Sequence, residues 1–286
     1  MYGGVSMRKL SLAIAVSILG LALFAPGASA VIVWGNNASF GNVTIEAFDL
    51  DTGALLQQFI VPNALAAGDN GRGIAVVGTT IYYTVAGRGE VFITDSNTHA
   101  DLGTLVSTGL GGISCIAYDG TNLWITAYDG TNNAYKYDLS GNLVGTVLGF
   151  GNNRDGFEIA GTHIITNNGD AVGPYDLYDL DGNLVQAGFI TTQYAPTGIT
   201  YDGTNYYVSD IFNNAIEVFD SNGAFVRRQV LDGPFPVYGQ RLLEDISVLG
   251  NVINNPPPGG EVPEPGTLLL LGTGVLGLCV TRKKLS

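Results

Sequence analysis

Residues 112–126 read Gly112-Ile113-Ser114-Cys115-Ile116-Ala117-Tyr118-Asp119-Gly120-Thr121-Asn122-Leu123-Trp124-Ile125-Thr126. Residues 197–209 repeat the pattern as Thr197-Gly198-Ile199-Thr200-Tyr201-Asp202-Gly203-Thr204-Asn205-Tyr206-Tyr207-Val208-Ser209. In each, a short apolar segment enters an Asp-Gly-Thr-Asn turn and leaves it as a second segment rich in aromatic and β-branched residues, the pattern of a β-hairpin. Gly73-Ile74-Ala75-Val76-Val77-Gly78 before Thr80-Ile81-Tyr82-Tyr83-Thr84 is the same unit with an altered turn, and Phe157-Glu158-Ile159-Ala160-Gly161 before His163-Ile164-Ile165-Thr166 is a fourth.

Outward from these hairpins, a third segment ends on an aspartate each time: Asp49, Asp95, Asp138, Asp179 and Asp220, spaced 46, 43, 41 and 41 residues apart. An aspartate can accept hydrogen bonds from amides two residues on, and Gly53, Gly141, Gly182 and Gly223 supply a residue tolerant of positive φ, so each site reads as a second turn. A fourth strand follows, as at 55–61, 143–148 and 225–231. Four short antiparallel strands recurring every 40 to 45 residues is the period of a β-propeller blade. The N-terminal segments at 31–34, 43–48 and 55–61 lack a first strand, and Asp245-Ile246-Ser247-Val248-Leu249-Gly250 looks like a first strand with nothing after it. Joined, they complete a ring of five blades; six is the alternative if one divergent blade divides differently. The expected fold is therefore all-β, a propeller over residues 31–254 closed by its two ends.

The flanks differ from this body. Arg8 and Lys9 precede an apolar run at 10–24, and Ala28-Ser29-Ala30 offers the small residues of a signal-peptidase site, so residues 1–30 read as a signal peptide cleaved between Ala30 and Val31. Pro256-Pro257-Pro258-Gly259-Gly260 lies in a linker over 255–262. Beyond it come Val262, Pro263, Glu264 and Pro265, an uncharged stretch at 266–280, and Arg282, Lys283 and Lys284. As a helix that stretch rises about 22 Å, a short membrane span, and the basic cluster favours leaving its end in the cytoplasm. Triplet, span and cluster, in this order, resemble the PEP-CTERM tail of exported proteins in Gram-negative bacteria. The resemblance covers residues 263–286. It implies recognition by a membrane transpeptidase, an exosortase, that removes the helix and basic cluster, and association with exopolysaccharide or biofilm matrix. A plain membrane anchor is the alternative reading.

Without residues 1–30 and 262–286 the body has 12 − 5 = 7 basic and 25 − 1 = 24 acidic residues, a net charge of 7 − 24 = −17. Such a surface repels nucleic acid and excludes it as a partner. Cys115 is the body's single cysteine, so no disulfide framework is expected although the compartment is oxidising.

The phrases 201–210 and 213–220 resemble the NHL and gluconolactonase-like propeller superfamily. That resemblance implies a channel ringed by carboxylate and amide oxygens, which in lactonase-like members hold a metal. The matching candidates are Asp155, Glu158, Glu244 and Asp245, with Ca2+ as the possible ion. Glu158 and Glu244 are expected at equivalent positions of their blades, both facing the axis. Loops joining second to third strands add Arg88, Asp210, Asn213 and Asn214. No Gly-x-Ser-x-Gly, His-Glu-x-x-His or cysteine nucleophile constellation is present, and His99 and His163 read as a turn residue and a strand end. Trp34 and Trp124 are expected in the core. The expected function is a non-enzymatic binding or scaffold protein of the cell surface, with a metal-dependent lactonase-like hydrolase using Glu158, Glu244 and Asp245 as the alternative.

Overall fold

A computed structural model describes residues 30–39, 43–63, 69–128, 133–147, 149, 155–167, 173–233 and 241–248. The signal peptide, the linker and the sorting tail, with Val262, Pro263, Glu264, Pro265, Arg282, Lys283 and Lys284, lie outside the described residues, as does Ala28.

Five four-stranded antiparallel sheets form the ring. Blade one contains β1 (Ile32–Asn37), β2 (Thr44–Asp49) and β3 (Leu55–Ile60). Blade two is β4 (Gly71–Val77), β5 (Thr80–Val85), β6 (Glu90–Asp95) and β7 (Asp101–Ser107). Blade three is β8 (Ile113–Tyr118), β9 (Asn122–Ala127), β10 (Ala134–Asp138) and β11 (Leu143–Val147). Blade four is β12 (Phe157–Ala160), β13 (His163–Thr166), β14 (Tyr175–Asp179) and β15 (Leu184–Ile190), and blade five is β16 (Pro196–Tyr201), β17 (Asn205–Asp210), β18 (Ala215–Asp220) and β19 (Phe225–Val230). β20 (Leu243–Val248) pairs with β1 as the innermost strand of blade one, which is the expected closure and excludes the six-blade partition.

The expected turns form for the expected reason. Asp49, Asp95, Asp138, Asp179 and Asp220 each accept backbone amides two to four residues on, at 2.7–3.1 Å. Asp119 and Asp202 do the same in the first hairpins, and their second oxygens take Trp124 Nε1 at 2.7 Å and the Tyr207 hydroxyl at 2.5 Å. The glycine after the outer turn has two reasons to be glycine. Gly53, Gly141 and Gly223 have φ of 80°, 85° and 77°, and a Cβ there would lie 2.2–2.5 Å from Val230 O, Leu105 O and Phe189 O of the preceding blade's outer strand. Blade two substitutes His99, at φ 58°, whose ring stacks on Phe59 of blade one at 4.0 Å and meets Gln57. Just after each outer turn the pairing of third and fourth strands shifts register, so every outer edge begins with a bulge that spoils it as a template for another strand.

Between blades the apolar residues form the core. Ile74, Ile116, Phe157, Ile199 and Ile246 occupy matching positions of the five inner strands, all essentially buried. Trp34 and Trp124 are buried as expected. Ala30 and Val31 sit where the chain enters β1, on the side of the ring that carries the hairpin turns, and β20 ends on that same side.

Candidate functional site

Inner strands of a propeller present an unpaired edge to the axis, and buried amides there need acceptors. Counting back from the turn glycines Gly78 and Gly161 places Gly156 level with Gly73 and Glu158 level with Ala75. One axial layer is then Gly73, Cys115, Gly156, Gly198 and Asp245; the next is Ala75, Ala117, Glu158, Thr200 and Ser247. All ten are buried. Each layer holds one acid among four smaller residues, which closes the channel at two successive levels.

Asp245 crosses the axis. Its Oδ2 accepts Ile74 N at 2.9 Å from blade two and Ile116 N at 3.4 Å from blade three, while Oδ1 accepts Ile246 N at 3.0 Å. The glycines make room, because a Cβ on Gly198 would lie 2.5 Å from Asp245 Cα and one on Gly73 would lie 2.7 Å from Ile116 N. Burial pushes the Asp245 carboxyl well above its usual range; the three amides oppose this, and Glu158 adds to it. Glu158 takes Ile159 N on Oε1 at 2.7 Å. Ser247 and Thr200 hydroxyls accept Val76 N and Val248 N across blade boundaries at 3.1 and 3.2 Å. Cys115 donates to Asp155 O at 2.9 Å, and its thiol is pushed up, first by burial and then by Asp245.

Above these layers, on the side where second-to-third and fourth-to-first loops gather, Glu244 pairs with Arg72 of the neighbouring blade, and the Arg72 guanidinium lies 5.6 Å from the Tyr128 ring centre. Burial raises the Glu244 carboxyl while Arg72 pulls it back. The expectation that Glu158 and Glu244 are equivalent is therefore corrected. Glu158 lies inside the plugged channel, whereas Glu244 stands at its mouth beside a cation. Asp155 borders the Cys115 contact, and its amide is held by Asn167 Oδ1 at 3.1 Å. Among the described residues no three of His, Cys, Asp and Glu come together as a group that could hold a metal.

One site escaped the sequence reading. Arg241, just ahead of β20, is wholly buried and gives Nε to both oxygens of the equally buried Glu46 at 3.0 Å, with Asn214 Oδ1 on Nη1 at 2.8 Å and the Phe48 ring centre 4.8 Å away. Gln58 and Asn37 complete the Glu46 shell at 2.6 and 3.3 Å. At the rim of blade five the expected loop residues do come together, and the partner the sequence reading missed is Arg228: buried Asp210 holds it at 2.7 Å and Asn213 at 2.9 Å.

The comparisons with known proteins divide the chain in the same way. Residues 261–283 match the PEP-CTERM protein-sorting motif, the mark of an exported exosortase substrate that is membrane-anchored before processing. The propeller is similar to a chain of the crystal structure of a nidogen/laminin complex, at 12% identity over 77% of this chain and 98% of that one, TM-score 0.52. It is also similar to a protein of unknown function from Bacteroides caccae, at 13% identity over 77% of this chain and 99% of that one, TM-score 0.49. At such identity the first likeness is one of fold alone. No curated protein matches the chain.

Proposed function

We propose that this exported exosortase substrate is a non-enzymatic propeller that binds or scaffolds extracellular polymer at the cell surface. One observation carries the reading: the acids a lactonase-like reaction would use are already engaged by the protein. Asp245 is held by three amides from three blades, Glu244 by Arg72, and Glu158 accepts an amide of its own strand. A hydrolytic metal needs open carboxylate oxygens and a coordination position for water. The two histidines stand on the hairpin side, His99 in a turn and His163 at the start of β13, across the sheet from Glu244. The sorting tail supplies the rest of the reading, since a protein transferred out of the membrane works by where it is held.

Two measurements test this. Intact mass of the protein from an exosortase-bearing host is expected to begin at Val31 and to lack Arg282, Lys283, Lys284, Leu285 and Ser286; a retained basic cluster would leave it a plain membrane anchor. A panel of lactones and esters, with and without added Ca2+, is expected to show no turnover. Hydrolysis abolished by Glu244→Gln in a protein that still folds would replace this reading with the hydrolase.

A further inference from the structure

Both described ends of the ring, Ala30 and Val248, lie on the hairpin side. The described chain therefore leaves the ring on that side, and the loops gather on the opposite side. On that side blade five carries an arrangement the core does not use. Phe212, in the turn between β17 and β18, is 66% exposed, and Tyr194, in the loop before β16, is 39% exposed. The two loops are joined by Ile211 N donating to Ala195 O at 3.1 Å, so both rings stand on one rim.

Their surroundings are polar and ordered. The Arg228 guanidinium lies 4.4 Å from the Tyr194 ring centre and is fixed from beneath by Asp210, whose side chain is almost fully buried. The other Asp210 oxygen orients the Asn213 amide beside Phe212. Arg228 also keeps a buried Nε donor with no hydrogen-bond acceptor. One exposed ring stacked by a guanidinium and a second on the same rim next to a polar amide do not form a continuous apolar patch of the kind that dries out against a protein partner. A pyranose ring presents the complementary chemistry: axial C–H bonds, weakly positive, against the negative face of an aromatic ring, and hydroxyls around its edge for amide and guanidinium donors.

We propose that Tyr194 and Phe212, with Arg228 and Asn213, form a subsite for a neutral polysaccharide on the loop-bearing side of blade five. Neutrality follows from charge. Arg228 is balanced by Asp210, so the rim offers no excess cation to a polyanion, and the body as a whole carries 7 basic against 24 acidic residues. The proposal rests on the reading of the protein as a polymer-binding surface protein and names the polymer class.

The full chain, in mild detergent, is applied to cellulose, chitin, starch, curdlan and dextran, with retention measured by pull-down or affinity electrophoresis. Retention on at least one is expected, weakened tenfold or more in the Tyr194→Ala/Phe212→Ala double variant, which still melts cooperatively, with a modest fall in melting temperature from the lost Tyr194–Arg228 contact. Leu184→Ser, an exposed apolar residue at the hairpin end of an outer strand, is expected to change nothing. Equal retention by parent and double variant overturns the subsite and leaves polymer binding standing. No retention of the parent on any of the five overturns the neutral-glycan assignment, while the surface role is judged separately by intact mass and the substrate panel. Self-association of the parent that the double variant abolishes would show that the rings cover a second copy, which also overturns it.

Discussion

Asp245→Ala should be among the most destabilising single changes to the ring, although it removes only three heavy atoms. The carboxylate accepts amides at 2.9, 3.0 and 3.4 Å from the inner strands of three blades, and all three donors lie where solvent cannot replace it. A buried donor left without an acceptor costs about 1–3 kcal/mol. Taking the 3.4 Å contact at the low end gives a gross loss of roughly 3–7 kcal/mol. Relief from burying the polar carboxyl group returns part of it. A net loss of about 3 kcal/mol is expected, equivalent to a fall of roughly 6–12 °C in melting temperature for a ring of this size.

Asp245→Asn separates hydrogen bonding from charge. It keeps one acceptor oxygen, so its cost at low pH should be smaller, but it cannot titrate. Because the folded-state pKa is raised by burial, the native ring prefers the protonated acid. The Asp245 contribution is then fully present below the unfolded value of about 4 and is lost as pH rises through the shifted folded value. Between pH 5 and pH 8 the parent should therefore lose stability relative to Asp245→Asn. Glu244 and Glu217, also raised by burial, are common to both proteins and cancel in the difference. Thermal melts at the two pH values decide the matter. An Asp245→Ala loss below about 1 kcal/mol would refute the axial role. Parallel pH profiles for parent and Asp245→Asn would refute the titration.

Three further outcomes follow from the same geometry. Gly53→Ala and Gly223→Ala, where positive φ combines with a Cβ 2.2 Å from a neighbouring carbonyl, should each cost more than Gly120→Ala, at φ 90° with open space around it and a cost of about 1 kcal/mol; scanning fluorimetry ranks them. Deleting residues 31–40 or 245–254 removes one partner of the β1–β20 ladder and should abolish cooperative melting, and a truncated chain that melts like the parent would place the closure elsewhere. Glu244→Gln should lower the melting temperature equally in calcium and in chelator, because the partner lost is Arg72; a fall seen only in calcium would place a cation at the channel mouth.

The blades were legible because their signals are local. Asp turns, turn glycines and apolar alternation each act within about a dozen residues, and the unpaired segments at the two ends forced the closure. The axis was harder to read. Matching Glu158 to Glu244 by nearness to a strand start ignored the turn: Gly161 corresponds to Gly78, and counting back from it would have set Gly156 beside Gly73 and Glu158 beside Ala75. His99 was legible as a turn residue, since Asp95 precedes it by the same four residues that separate Asp49 from Gly53, but its stacking on Phe59 of the neighbouring blade had no local signal. Arg241 and Glu46, 195 residues apart, had no local signal at all.

Departures from the repeat also answer a problem that five similar blades create, since any blade could pack against any other through its apolar faces. Asp245 fits only where Gly73 and Gly198 leave the axis open and where the Ile74 and Ile116 amides point inward. His99 is placed over Phe59, whereas the outer turns of blades one, three and five bring a glycine against a carbonyl. Arg241 reaches its carboxylate only if blade five has already delivered residues 241–242 beside β2, and a buried cation without Glu46 would be strongly disfavoured. Each contact forms only with the correct neighbouring blade. The acids on the axis and at the closure are in that sense instructions for neighbour and register. They sit where a catalytic reading would look for them while already bound to backbone and arginine, and the turn between β17 and β18 shares in that closure, since Asn214 accepts from Arg241 at 2.8 Å.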